Sequence, residues 1–195
     1  MKSTLQRGFK SWTERTATSL RGDLGLGPDD SLEPLALARY LEVLLWTPRD
    51  VPSLPSAVID QLLQQDPWGW SAISVLQGTT AVIIYNQRHS RGRQSSDIVH
   101  ELAHLILGHE PAKLIISHDG SFVMRSYDQK DEDEANWLAW ALLLPREGLL
   151  ACRRKKLTTL EIAEQFGVTE SLVNFRLRMT GVEGQLKAAS RYRRN

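Results

Sequence analysis

The chain has 195 residues, of which 42% are hydrophobic and 24% charged, proportions that suit a globular protein with a buried core and exclude a disordered or fibrous one. Its longest candidate apolar run, Leu138 to Leu144, falls far short of the roughly 20 residues of a membrane span. A net charge of +1 hides an asymmetry: residues 1–150 hold 14 Lys and Arg against 19 Asp and Glu, whereas residues 151–195 hold 10 against 4, a basic end of the kind that contacts nucleic acid or an acidic partner, or simply forms a solvated tail.

Residues 1–30 intersperse basic and polar side chains with no secretory apolar segment, so a cytoplasmic location is expected. The single cysteine, Cys152, excludes an internal disulfide framework and every cysteine-rich zinc knuckle, so any metal must sit on histidine and carboxylate.

Along the chain, Leu5, Phe9, Trp12 and Leu20 at helical spacing predict a core-covering helix over 4–21, stopped by Gly22, Gly25 and Gly27. Pro34 suits the first turn of a second helix that reaches Tyr40 or Leu41. Val43 to Trp46 reads as a short strand, and Pro48, Pro52 and Pro55 make the next stretch a loop. Ile73–Leu76 and Ala81–Tyr85 flank a polar Gly-containing turn as a β-hairpin does. After a polar segment, 86–96, a helix is expected over Asp97–Leu107, with Ile98, Leu102, Leu105 and Ile106 on one face and Gly108 at its end. Short strands are expected within 113–124 around Asp119-Gly120, followed by an acidic-started helix over Asp131–Leu144 closed by Pro145. Residues 158–179 split at Gly167 into two helices, with Thr169 as N-cap of the second, in the manner of a helix-turn-helix.

His100-Glu101-Leu102-Ala103-His104 is an H-E-x-x-H pattern on the helix that periodicity already predicts. By this composition it would arise by chance in roughly 1% of such chains, which weighs against a plain surface helix. At about 100° per residue the two imidazoles stack on one face and can reach one ion, while Glu101 lies beside them, where a carboxylate can take a proton from an activated water. A catalytic zinc site needs a third protein ligand. His109 follows His104 by five residues, one fewer than the extended metzincin pattern requires, and His89 and His118 have no motif around them. The acidic helix offers Glu132 and Glu134, two residues and so about 200° apart, so that only one can face the ion. Glu132 shares its face with Asn136, an amide able to orient a ligating histidine; the other reading of this cluster is a solvated acidic first turn.

The sequence resembles the ImmA/IrrE family of zinc metallopeptidases. The likeness rests on Ile98-Val99-His100-Glu101-Leu102-Ala103-His104 with Gly108-His109, on Glu132 to Ala139 running into Leu142-Leu143-Leu144-Pro145, on Arg93, and on Phe166-Gly167-Val168-Thr169 followed by Arg176-Leu177. Leu138 and Leu144 stand where the family favours phenylalanine and methionine, both apolar exchanges. The resemblance implies a gluzincin-like peptidase that cuts a helix-turn-helix transcriptional repressor and so derepresses mobile-element or stress-response genes. His100, His104 and Glu132 would bind zinc, with manganese as an alternative ion, and Glu101 would be the general base. The sensor domain of the longer radiation-response members has no counterpart here, so regulation by that route is not expected. For the oxyanion, Tyr127 is a candidate donor, with a packed aromatic as the alternative.

The expected architecture is thus α+β: a metallopeptidase domain over 1–150 with a small antiparallel sheet and the H-E-x-x-H helix, a helix-turn-helix-like module over 151–181, and a basic tail over 182–195. The expected partner is a protein substrate, with no membrane. The competing reading is a DNA-binding regulator with a vestigial metal site, its second helix exposing Asn174 and Arg178. One basic helix pair makes few phosphate contacts, and an intact Glu101 argues against a vestigial site.

Overall fold

The computed structural model describes residues 5–77, 79–109, 114–116, 122–124 and 128–192. The expected turn at Asp119-Gly120, His118 and Tyr127 lie outside these residues.

Two helices carry the chemistry-bearing motifs and pack along each other: α4 (Arg91–Leu107) and α5 (Gln129–Leu143). The apolar face of α4 buries Ile98, Val99, Leu102 and Ala103. Its end is set by Gly108, whose φ of 70° turns the backbone left-handed, at little steric cost without a Cβ, and brings its N–H back to the carbonyls of the last turn. The start differs from expectation. The helix begins at Arg91, not Asp97; Arg91 to Ser96 carry no hydrophobic period that would reveal this first stretch in the sequence. In α5 the Asp128 side chain accepts the Lys130 N–H and Asp131 and Glu132 occupy the first turn, as the helix dipole favours, while Ala135, Leu138, Ala139 and Leu142 are buried.

A three-stranded sheet packs against α4. Strands β2 (Ala72–Gln77) and β3 (Thr80–Tyr85) form the expected hairpin, Ala72 opposite Tyr85 and Gln77 opposite Thr80. Strand β1 (Leu44–Trp46) pairs with β3 in parallel, Leu44 opposite Val82. The sheet is therefore mixed, not antiparallel as the sequence led us to expect. The cause is the crossover from β1: a 3-10 turn at Pro48–Asp50, helix α3 (Ser56–Asp60) and a π-helical turn at Gln61–Gln65 carry the chain past β3 before it returns as β2. The central strand β3 buries both Val82 and Ile83, which point to opposite faces. Strand β2 is left at an edge of the three-strand order. A further antiparallel pair joins β4 (Leu114–Ile116) to β5 (Phe122–Met124).

Helix α1 (Phe9–Asp23) packs on α5, and α2 (Pro34–Tyr40) precedes β1. The buried stripe of α1 is Thr13, Ala17 and Arg21; of the residues expected to cover the core, Leu20 packs against it, whereas Trp12 remains 37% exposed. Arg21 earns its burial by hydrogen bonding, donating to the Leu142 carbonyl at the end of α5 and to the Gly27 and Asp30 carbonyls.

Beyond Pro145, where the expected helix closes, the chain enters α6 (Arg146–Arg154), a helix the sequence reading did not include. Then follow α7 (Thr159–Phe166), α8 (Glu170–Thr180) and α9 (Val182–Tyr192). Thr158 with Glu161 forms a capping box at α7, and Thr169 accepts the Leu172 N–H at α8. The stretch read as a basic tail is thus largely helical, with Val182 buried. These helices share a second apolar cluster around Leu149, Ile162, Phe166 and Val173, and Val168 packs against both clusters. Arg176, fully buried, ties them to the rest by donating to the Leu144 carbonyl at 3.0 Å and pairing with Glu14 of α1 at 2.6 Å. Among the described residues no helix is long and apolar enough to cross a membrane.

Candidate metal centre

His100 and His104, one turn apart on α4, project toward the first turn of α5. Their Nε2 atoms lie 3.1 Å from each other, and the Glu132 carboxylate reaches both, 3.3 Å from His100 Nε2 and 3.3 Å from His104 Nε2. Asn136, one turn after Glu132, hydrogen-bonds His100. The structure therefore brings together the three residues that the sequence proposed as ligands, along with the amide expected beside them.

The spacing fits a metal. Zinc bonds of about 2.0–2.1 Å in tetrahedral geometry set ligand atoms about 3.3–3.4 Å apart, close to the three separations above. Two imidazole nitrogens and a carboxylate oxygen are a donor set that zinc accepts, and these atoms lie within 4.8 Å of one another.

Glu101 follows His100 on the side facing the sheet. Its Oε2 accepts a 2.5 Å hydrogen bond from Ser74 of β2. Ser74 is only 5% exposed, and it is the one polar residue buried on that strand among those described. Sequence reasoning missed it. The available signal was a lone serine between Ile73 and Val75, in an otherwise apolar strand, a few positions short of the hairpin turn.

Electrostatics push these groups toward neutrality. Burial, with the neighbouring imidazoles of His100 and His109, takes His104 down to about 4. Burial likewise lowers His100, against the opposing pull of Glu101 and Asn136. Burial raises Glu101 despite the Ser74 hydrogen bond, and raises Glu132 despite the nearby His109. At neutral pH both histidines thus offer lone pairs, and burial disfavours the charged form of both carboxyls.

The group opens onto a cleft of about 430 Å³, walled by Trp70, Ser71 and Ala72 at the start of β2, by Asp97, His100 and Glu101 on α4, and by Glu132 and Asn136 on α5. Arg93 donates to the Ser71 hydroxyl at 3.2 Å. His89, without a motif in the sequence, is 4% exposed and bonds through Nδ1 to Asp97 at 3.0 Å, with Trp68 stacked on its ring; it braces the start of α4 and stays out of the cluster.

The comparison with known families settles the broader class. The IrrE N-terminal-like domain, peptidase M78, matches residues 63–178, more than half of the chain. The chain belongs to that family. The matched span runs from the turn before β2 to the end of α8, so it takes in the hairpin, both motif-bearing helices and the α7–α8 pair. No curated protein matches the chain in sequence. The M78 family is of the metallopeptidase type, which agrees with an α+β chain whose histidine and carboxylate donors meet in a cleft.

Glu134 falls on the other side of α5 from Glu132. It lies 3.5 Å from His109 Nε2, with Asp131 3.7 Å from the same atom. His109 in turn touches His104, Nδ1 to Nδ1, at 2.9 Å. The sequence reading set His109 aside as a third ligand because its spacing from His104 is one residue short.

Proposed function

We propose that the chain is a zinc-dependent endopeptidase, with manganese as an alternative ion, in which His100, His104 and Glu132 hold the metal and Glu101 acts as general base. The observation that carries this reading is the near-tetrahedral spacing of the three donors, 3.1 to 3.3 Å apart, with the Glu101 carboxyl beside them in the same cleft. Zinc, when bound, supplies a Lewis acid that lowers the pKa of a water and polarises a carbonyl.

The chain's own residues do the rest. Ser74 engages Glu101 Oε2 and leaves Oε1 to take a proton from the attacking water and return it to the leaving amine. A carboxyl whose pKa burial has raised is a better proton carrier near neutral pH than a free glutamate. Asn136 holds the His100 ring. Strand β2, at the edge of its sheet, borders the cleft through Ala72 and can pair with an extended peptide, whose backbone then lies across the cleft.

The substrate we infer is a helix-turn-helix repressor whose cleavage derepresses mobile-element or stress-response genes. Residues 151–181 would help to recognise it. The alternative, a DNA-binding regulator with a vestigial metal site, has less support. Asn174 and Arg178 are exposed on α8, but Arg153 pairs with Glu183, Lys155 with Asp29 and Arg176 with Glu14, so three of the ten basic residues of 151–195 are engaged within the chain, and one basic helix pair makes few phosphate contacts.

The test is to search the neighbourhood of the gene for a helix-turn-helix repressor and to co-incubate it with the zinc-loaded chain, reading fragments by mass spectrometry. The expected result is discrete cleavage by the wild type and none by Glu101→Gln, which still binds one equivalent of metal. Full cleavage by Glu101→Gln, or loss of its metal, would refute the role given to Glu101.

A further inference from the structure

We propose that His109 is a positioning residue for the metal centre: it accepts the Nδ1–H of His104 and thereby fixes the tautomer that turns the His104 Nε2 lone pair toward His100 and Glu132. The proposal rests on reading those residues as ligands.

A neutral imidazole carries one N–H donor and one acceptor nitrogen. The 2.9 Å contact between His104 Nδ1 and His109 Nδ1 therefore needs the proton on one of them. His104 Nε2 already faces His100 Nε2 and Glu132 Oε1, so an ion held there requires the His104 proton on Nδ1. That proton points at His109 Nδ1, which must then accept. The His109 proton is left on Nε2, the atom facing Glu134 Oε2 at 3.5 Å and Asp131 Oδ1 at 3.7 Å. The order runs in one direction, from His104 through His109 toward the Asp131 and Glu134 carboxylates in the first two turns of α5.

The backbone holds His109 in place for this. Gly108, left-handed at φ 70°, folds the chain back over the end of α4, and the His109 N–H donates to the His104 carbonyl at 3.0 Å. His109 thus grips both backbone and side chain of His104, with its own side chain 10% exposed. Glu134 is held from behind by Lys130 at 3.6 Å. The spacing of five residues, which disqualifies His109 as a third ligand by the metzincin pattern, is what sets it behind the second. A ligating histidine characteristically donates its other N–H to such a partner, and loss of the partner weakens metal binding.

His109, Asp131 and Glu134 also have the composition of a metal-binding group. The His104 contact on Nδ1 and the Lys130 ammonium at Glu134 argue for the hydrogen-bonded role, and a second metal is made an outcome of the test.

The experiment uses the full chain with histidine-selective 15N labelling, long-range 1H–15N correlation to read tautomers, and zinc affinity by competition with a chromophoric chelator. The variants are His109→Leu, His109→Gln and Glu134→Gln. The wild type is expected to show His104 as the Nδ1–H tautomer both metal-free and zinc-loaded. His109→Leu should lose that preference in the metal-free protein and bind zinc about 10 to 100-fold more weakly. His109→Gln, whose amide oxygen accepts the same proton, should restore most of both. Glu134→Gln should weaken binding by a smaller factor and shift the His109 nitrogens.

An unchanged His104 tautomer and unchanged affinity in His109→Leu would overturn the proposal. So would a second zinc equivalent in the wild type that both His109→Leu and Glu134→Gln abolish. If His109→Leu does not fold, the Gln variants decide: the proposal fails if His109→Gln shifts the His104 tautomer while Glu134→Gln leaves the His109 nitrogens unmoved. A wild type that binds no zinc would refute the ligand assignment, while the metal-free tautomers would still decide the positioning role.

Discussion

At the scale of single residues, the two acidic side chains that the sequence left in competition point to different neighbours. Glu132 lies 3.3 Å from both histidines, and Glu134 lies behind them against His109. Glu132→Ala should therefore lower zinc affinity sharply, since two histidines alone hold zinc poorly, and Glu134→Ala should do so only mildly; equal losses in a chelator competition would contradict the division. Ser74→Ala should leave the metal content unchanged and reduce turnover about 10 to 100-fold, because a hydrogen bond to a charged partner contributes about 1.5–3 kcal/mol. Activity equal to wild type in the cleavage assay would show that Ser74 does not position Glu101. That His100 stacks with His104, and Glu132 with Asn136, was legible because helical spacing decides which side chains share a face; which face of α5 meets α4 was not. Ser74 and His109 were not, since each depends on a contact between elements that no period in the sequence encodes: β2 against α4 for the serine, and the turn at Gly108 for the histidine.

At the scale of elements, apolar periodicity located the hydrophobic halves of helices and missed their polar extensions. The helix α4 begins six residues before the expected Asp97, since a solvated first turn and a half has no apolar stripe to reveal it. The parallel strand β1 was legible as a strand but not in its direction, which the crossover through 47–71 determines. Arg176 was quoted only as part of a motif, yet it joins three helices: it sits on α8, pairs with Glu14 of α1 and caps the Leu144 carbonyl at the end of α5. Its burial lowers its pKa against the pull of Glu14, and its Nη1 finds no partner among the described residues. Breaking a buried ion pair from one side costs about 3–5 kcal/mol. Arg176→Ala should thus destabilise the fold by about 3 kcal/mol, near the low end because Glu14 keeps its bond to the Arg146 N–H. A thermal or urea unfolding measurement within about 0.5 kcal/mol of wild type, the range of an ordinary surface substitution, would contradict this.

At the scale of the molecule, the C-terminal helices are fastened to the motif-bearing helices and do not hang from them. Phe175 of α8 packs edge-on against Trp137 and Trp140 of α5, and Val168 touches both apolar clusters. Of the apolar residues on α7 and α8 that could form an interface, Leu172 and Phe175 are partly consumed in this packing, while Leu160 stays 53% exposed. The surface left to a partner is mixed, and its basic residues are partly paired, so duplex DNA should bind weakly. If it bound through 6 to 10 phosphates, affinity would fall about 10³ to 10⁵-fold between 50 and 200 mM salt. Submicromolar, sequence-selective binding at physiological salt would favour the regulator reading instead. The central claim is that one ion sits among His100, His104 and Glu132, and the most direct test is anomalous diffraction at the zinc edge from crystals of the zinc-loaded chain. A single peak is expected about 2.0–2.2 Å from both Nε2 atoms and a Glu132 oxygen; a peak on His109 and Glu134, or none in the cleft, would refute this ligand set.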